Sequence, residues 1–183
     1  MTIRKIARMG HPVLGKRAEA ITDLADPELR RLVEDMVETM IDSHGAGLAA
    51  PQVHEQVRLV TFQALANRAD PGLSETEAFD HTAPLTVLAN PVIEVLSNET
   101  EGGWEGCLSV PGLRGWVPRF ARLRYTGFDE KGAPVDRRVD GFHARVVQHE
   151  CDHLDGVLYP MRMPDMSRFG FTDVLFGDCT PDE

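Results

Sequence analysis

QHECDHLDG, residues 148–156, sits near the C-terminal end of a 183-residue chain, and the remainder is read from it. His149 and His153 are four apart, so on a helix they lie about 40° from one another and can grip one metal ion. Glu150 projects beside them, about 100° around from His149, as a candidate base. Phe142 and Val146 fall on the histidine face. Ala144, Val147, Cys151 and Leu154 form a second apolar face, and Arg145, Gln148 and Asp152 make a narrow polar edge. A helix apolar on two sides is buried on two sides. Buried imidazoles and carboxylates need partners, which leaves two readings of H-E-x-x-H: a ligated metal, or two core histidines capped by neighbours. Gly156 is the natural stop of this helix.

A catalytic metal usually takes three protein ligands and keeps one position open. Cys107, in EGCLS (105–109), is the first choice for the third ligand, because a thiolate binds more strongly than a surface carboxylate. Glu105 is the second choice, and the bland alternative for Cys107 is a small buried hydrophobe. Cys151 points about 200° away from His149 and reads as packing. Cys179 lies in the acidic tail and is assigned no role.

Upstream, Asp26-Pro27-Glu28 is a helix start, with a cap, a proline suited to the first turn and an acid in the positive first turn. Leu29, Leu32, Val33, Met36, Val37, Met40 and Ile41 make an amphipathic stripe that stops near Ser43-His44-Gly45. GAGLAAPQ (45–52) follows; its small residues allow close backbone approach, and Gln52 offers an amide donor and acceptor. No phosphate-binding pattern accompanies these glycines. Strands are expected at 57–62, 85–89 and 92–96, and a hairpin at 123–128 and 135–139 turns through Asp129-Glu130-Lys131-Gly132. Residues 1–25 read as an irregular arm and 64–83 as a surface insertion. The segment 157–183 reads as a non-helical acidic tail whose apolar residues fold back as a short strand. The expected architecture is one α+β domain over residues 1–183. Antiparallel strands surround the C-terminal metal-binding helix, and the amphipathic helix packs outside.

Composition sets limits. With 19 Lys plus Arg against 29 Asp plus Glu, the net charge of −10 excludes holding nucleic acid by overall charge, and no direct DNA binding is expected. No run approaches the ~18 apolar residues of a membrane span. The first fifteen residues lack the apolar run of a secretory signal. The three cysteines, odd in number and far apart, then read as reduced thiols in a cytosol-like compartment.

GAGLAAPQ (45–52), EGCLS (105–109) and QHECDHL (148–154) resemble, in order and wording, the three signature motifs of the peptide deformylases, and the likeness runs on through VPR (117–119). The resemblance implies that Cys107, His149 and His153 bind the metal and that Glu150 is the general acid/base. It implies that Gln52 and the backbone N–H of Leu108 stabilise the oxyanion. Gly45 and Gly47 match positions whose backbone pairs with the peptide, and Arg114 matches an arginine near the entry. Phe142 and Val146, on the histidine face, are candidate walls for a methionine side chain, with simple core as the alternative. The implied cofactor is Fe(2+), replaceable by zinc, nickel or cobalt. The implied reaction is removal of formyl from the formyl-methionine of newly made chains. The implied setting is the cytoplasm of a bacterial cell, though an organelle stroma or matrix fits the same sequence. Transient ribosome contact, if made, would avoid the acidic tail. Two rivals remain. A zinc endopeptidase needs a further His or Glu ligand downstream, and no histidine follows His153. A non-catalytic, metal-stabilised relative has no need of Glu150 or Gln52.

Overall fold

The computed structural model describes residues 2–64 and 83–177. Its centre is a five-stranded antiparallel sheet in the order β1-β2-β3-β6-β7, formed by β1 (Gly47–Ala49), β2 (Leu59–Ala64), β3 (Ala83–Val95), β6 (Arg122–Phe128) and β7 (Pro134–Asp140). A second sheet, β4-β5-β8, joins β4 (Thr100–Cys107), β5 (Val110–Phe120) and β8 (Phe169–Phe171). Three helices accompany them: α1 (Pro27–Asp42), α2 (Gly141–Leu154) and α3 (Thr172–Phe176).

The period of two in the central strands distributes the core. Val60 and Phe62 of β2 and Leu88 of β3 face α2, where they meet Ala144, Val147, Cys151 and Leu154. Leu59, Val87 and Ala89 face the opposite way and cover Leu32, Met36 and Met40 of α1. Each such fully buried aliphatic or aromatic side chain contributes about 1.5–3 kcal/mol. The second sheet closes over the remaining side of α2, and every residue from His143 to Leu154 except Arg145 is buried. The expected arrangement, strands around the metal-type helix with the amphipathic helix outside, is the one observed. Asp26 caps α1 through Glu28 N at 2.8 Å, as its sequence implied.

Several expectations are corrected. The strands expected at 85–89 and 92–96 are one strand, because Asn90-Pro91 makes a bulge and not a break. Asn90 takes φ +50 and bonds both Ile21 N and Ile21 O through its amide, so the irregularity is held from outside the sheet. The ends of the expected insertion, Ala64 and Ala83, pair as buried strand residues; residues 65–82 lie outside the described residues. EGGWEGCLSVPGLRGWVPR (101–119), for which no strand was expected, forms most of the β4–β5 hairpin. The tail folds back as the strand β8, but Thr172–Phe176 adds a short helix where none was expected. Residues 178–183, including Cys179, lie outside the described residues.

The irregular N-terminal arm is fastened more firmly than its sequence suggests. Arg4 N donates to Thr39 Oγ1 and Arg4 Nε to Asp35 Oδ2, both at 2.9 Å, tying the arm to α1. Ala7 N then donates to Gln52 O at 2.7 Å and Met9 N to Ser109 O at 2.8 Å. The arm therefore backs two of the motifs that surround the histidine helix.

Candidate active site

Cys107, at the end of β4, meets the two histidines of α2. One donor atom from each of Cys107, His149 and His153 lies within 4.8 Å of the others. Cys107 Sγ is 3.2 Å from His153 Nε2. Burial alone would raise the Cys107 thiol, but the His153 and His149 rings outweigh it and hold the group well below the ordinary thiol range. A thiolate is the form that ligates a metal. Two imidazoles and a thiolate suit a borderline-soft divalent ion, and such a donor set leaves room for water.

Glu105, the second choice for third ligand, has another task. Its Oε2 lies 2.9 Å from His149 Nδ1, while its two oxygens accept from Arg119 Nε at 2.8 Å and Arg119 Nη2 at 2.9 Å. Burial pushes the Glu105 carboxyl up, but Arg119 and His149 more than reverse this and hold it far below the usual range. An ionised carboxylate can only accept, so His149 Nδ1 carries the hydrogen of this contact, and Nε2 is the ring nitrogen left for a metal. This carboxylate–histidine contact is the arrangement that orients metal-binding imidazoles. Arg119 continues the chain through Nη1 to Asp152 Oδ2, and Arg162 Nη2 donates to Asp152 Oδ1 at 2.7 Å.

Glu150 is 4% exposed, and its Oε2 has no hydrogen-bond partner among the described residues. Burial pushes its carboxyl up to about 7, against the pull of the His149 and His153 rings. A carboxyl poised near neutrality suits proton transfer in both directions. Gly47 makes room for it: a Cβ there would overlap the Glu150 carboxylate. Gly45 is constrained differently, since its Cβ would sit 3.0 Å from Leu108 Cδ1.

Gln52 is 1% exposed and fixed at both ends of its amide. Oε1 accepts from Ala49 N at 2.8 Å, and Nε2 donates to Ser109 Oγ at 3.0 Å with Cys107 Sγ at 3.4 Å. Arg114 lies on β5 with its guanidinium against Gly106, where any Cβ would collide with it. Cys151 packs in the core, and burial drives its thiol far up, so it is inert, as its helix position implied. Phe142 and Val146 belong to the margin and body of the α2 core respectively, Phe142 half-buried and Val146 6% exposed.

The sequence reading missed Arg119, Asp152, Ser109 and Tyr159 as parts of this site. Arg119 had a signal. Gly115 and Val117 are buried on alternate positions of β5, so an arginine at the next inward position requires a buried carboxylate. Tyr159, whose ring stacks on His149 at 6.1 Å, had none.

Thiolate, paired imidazoles and a buried free carboxylate at the seam of two antiparallel sheets define the class: a metal-dependent hydrolase. Comparison with known proteins agrees. The family model described as polypeptide deformylase matches residues 3–169. A peptide deformylase of Ralstonia nicotianae is 53% identical over 174 residues, covering 95% of this chain and 94% of its own. One from Bordetella pertussis is 50% identical over 179 residues, 98% of each. Among solved structures, the actinonin complex of the Ehrlichia chaffeensis peptide deformylase superposes with a TM-score of 0.83 at 30% identity, covering 92% of both chains. The Thermotoga maritima enzyme gives 0.76 at 34%, covering 90% of this chain and 100% of its own. This chain belongs to the polypeptide deformylase family, and the activity its motifs implied is that family's activity.

Proposed function

We propose that the protein hydrolyses the formamide of N-terminal formyl-methionine on newly made polypeptides, releasing formate, with one divalent metal held by Cys107, His149 and His153. The observation that carries this reading is the meeting of those three donors beside a buried Glu150 whose Oε2 has no hydrogen-bond partner among the described residues. When bound, the metal supplies Lewis acidity, which acidifies water and polarises the formyl oxygen. Glu150 accepts the proton of the attacking water and returns it to the leaving amine. Gln52 Nε2, its amide pinned by Ala49 N, is aimed by that bond and with the Leu108 N–H meets the charge growing on oxygen. Losing one such donor costs roughly 3–4 kcal/mol of barrier.

The peptide enters along two outer strands. β1 and β4 are each the edge of their sheet, which supports pairing of a substrate backbone along Gly45 and Gly47, with Arg114 at the entry. Phe142 and Val146 are proposed as walls for the methionine side chain. The metal is proposed to be Fe(2+), with nickel, cobalt or zinc able to replace it, and the location to be cytoplasmic. No described helix is long and apolar enough to cross a membrane. The zinc endopeptidase reading loses support, since the third donor of the described cluster is a cysteine.

Anaerobically purified protein mixed with a formyl-Met peptide is expected to release formate. A metal-loaded preparation that releases none would overturn the activity, and Cys107→Ala retaining wild-type metal would overturn the ligand set. The iron form is expected to lose activity in air faster than the nickel form, because a thiolate beside a redox-active ion is open to oxidation. Equal half-lives would count against iron.

A further inference from the structure

Arg145 lies one helical turn before His149 on α2, on nearly the same face. Its Nη1 donates to Glu105 Oε1 and to Val117 O, each at 2.9 Å, and its Nη2 donates to Glu101 O at 2.8 Å. It is the one residue between His143 and Leu154 that is not buried, and its guanidinium spans from helix to sheet. Gly103 forms its berth: a Cβ there would stand 2.7 Å from Arg145 Cζ.

The metal donors come from two bodies, Cys107 from β4 and the histidines from α2, so their spacing depends on how those bodies are fastened. Arg119 fastens them toward the C-terminal end of α2, through Asp152. Arg145 fastens them one turn before His149, at three acceptors on β4 and β5. Between these two, Gln148 accepts from Phe120 N at 3.1 Å and donates to Phe120 O at 2.9 Å, so α2 is tied to this sheet at three points, of which Arg145 is the one farthest toward the N-terminal end of the helix. Both arginines also share Glu105, the carboxylate that orients the His149 ring.

We propose that Arg145 is a positioning residue for the metal centre, which sets the α2–β4 spacing and holds Glu105 against His149. This rests on the ligand assignment made above. Removing Arg145 leaves Glu105 paired with Arg119, so no buried charge is stranded and the fold survives. What is lost is registry between thiolate and imidazoles. Partners that hold ligands in place typically contribute 10–100-fold to metal affinity.

The test is the rate at which the nickel-loaded protein gives up its metal to a chelator. Arg145→Met is expected to release nickel at least about tenfold faster than wild type. Arg145→Lys should fall between, since an ammonium keeps the charge but cannot span three acceptors. Gly103→Ala, which fills the berth without changing any charge, should move in the same direction as Arg145→Met. Cobalt-substituted Arg145→Met should show shifted visible absorption bands, a signature of altered ligand geometry. Release within twofold of wild type in both Arg145→Met and Gly103→Ala overturns the proposal. So does a lower melting temperature with unchanged release, which would assign Arg145 to stability alone. Failure of the ligand assignment itself would appear separately, as wild-type protein that holds no metal or Cys107→Ala that holds it fully.

Discussion

Glu150 concentrates the chemistry of this site in one carboxyl group, whose Oε2 has no hydrogen-bond partner among the described residues. Glu150→Gln is expected to keep its metal and lose turnover by ~10²–10⁴-fold, the contribution of a positioned acid/base group; metal analysis beside a formate assay checks both halves. The same substitution makes a second forecast for the metal-free protein. The folded pKa, about 7, lies above the ordinary 4.5, so the fold prefers the protonated acid. That contribution is complete below about pH 4.5 and is lost as pH rises through about 7. Chelator-treated Glu150→Gln is therefore expected to be more stable than chelator-treated wild type above pH 7, by up to about 3 kcal/mol. The two should converge near pH 4, and parallel melting curves at both pH values would refute the claim. Gly47→Ala tests the berth of the same group. Turnover is expected to fall while metal stays bound, because the atoms nearest the added methyl all belong to the Glu150 side chain.

Among the elements, α2 depends on how its end is turned. Gly156 takes φ +75, and a Cβ there would stand 2.8 Å from the backbone carbon of Gly15, which cannot swing aside as a side chain could. Gly156→Ala is expected to cost about 1–2 kcal/mol from the left-handed backbone alone, with the contact adding to it. For a chain of this size that lowers the melting temperature by roughly 2–8 °C. A calorimetric scan showing no change would mean that the turn tolerates a side chain. β8 is the other informative element. It pairs with Leu113, Arg114 and Gly115 of β5, while Arg168 lies over the Trp116 ring at 3.8 Å and Phe176 meets Trp104. The tail thus covers the outer face of the sheet whose inner face carries Glu105 and Arg119.

At the scale of the whole molecule, charge decides which surfaces can meet RNA. The chain carries −10, and residues 155–183 hold six acids against two arginines, net −4. Such a tail is repelled by phosphate. Deleting residues from Gly177 onward is therefore expected to leave ribosome co-sedimentation unchanged at low and moderate salt. Tight, salt-sensitive binding that vanishes with the truncation would show that the tail docks after all.

Sequence alone determined the parts of this protein that depend on local rules. His149 and His153 share a face because a helix repeats every 3.6 residues. α1 starts at Pro27 because Asp26 can cap it, and the α2 stripes require burial on two sides. Cys107 was reachable as well, since a two-histidine site needs a third donor and few side chains bind as strongly. What needed the tertiary structure was every relation carried between strands far apart in sequence. Glu105 could be read as a ligand until Arg119 and His149 were seen to occupy its oxygens. Gly47 could be read as a backbone contact for substrate, yet its hydrogen also makes space for a carboxylate 103 positions later. Asn90-Pro91 looked like a strand end because a proline lacks an N–H; Ile21, from the irregular arm, supplies the bonds that let the strand continue as a bulge. Periodicity and capping act over a few residues and are written in order along the chain. Pairing of buried charges, and the space left between them, is set by which distant segments fold together.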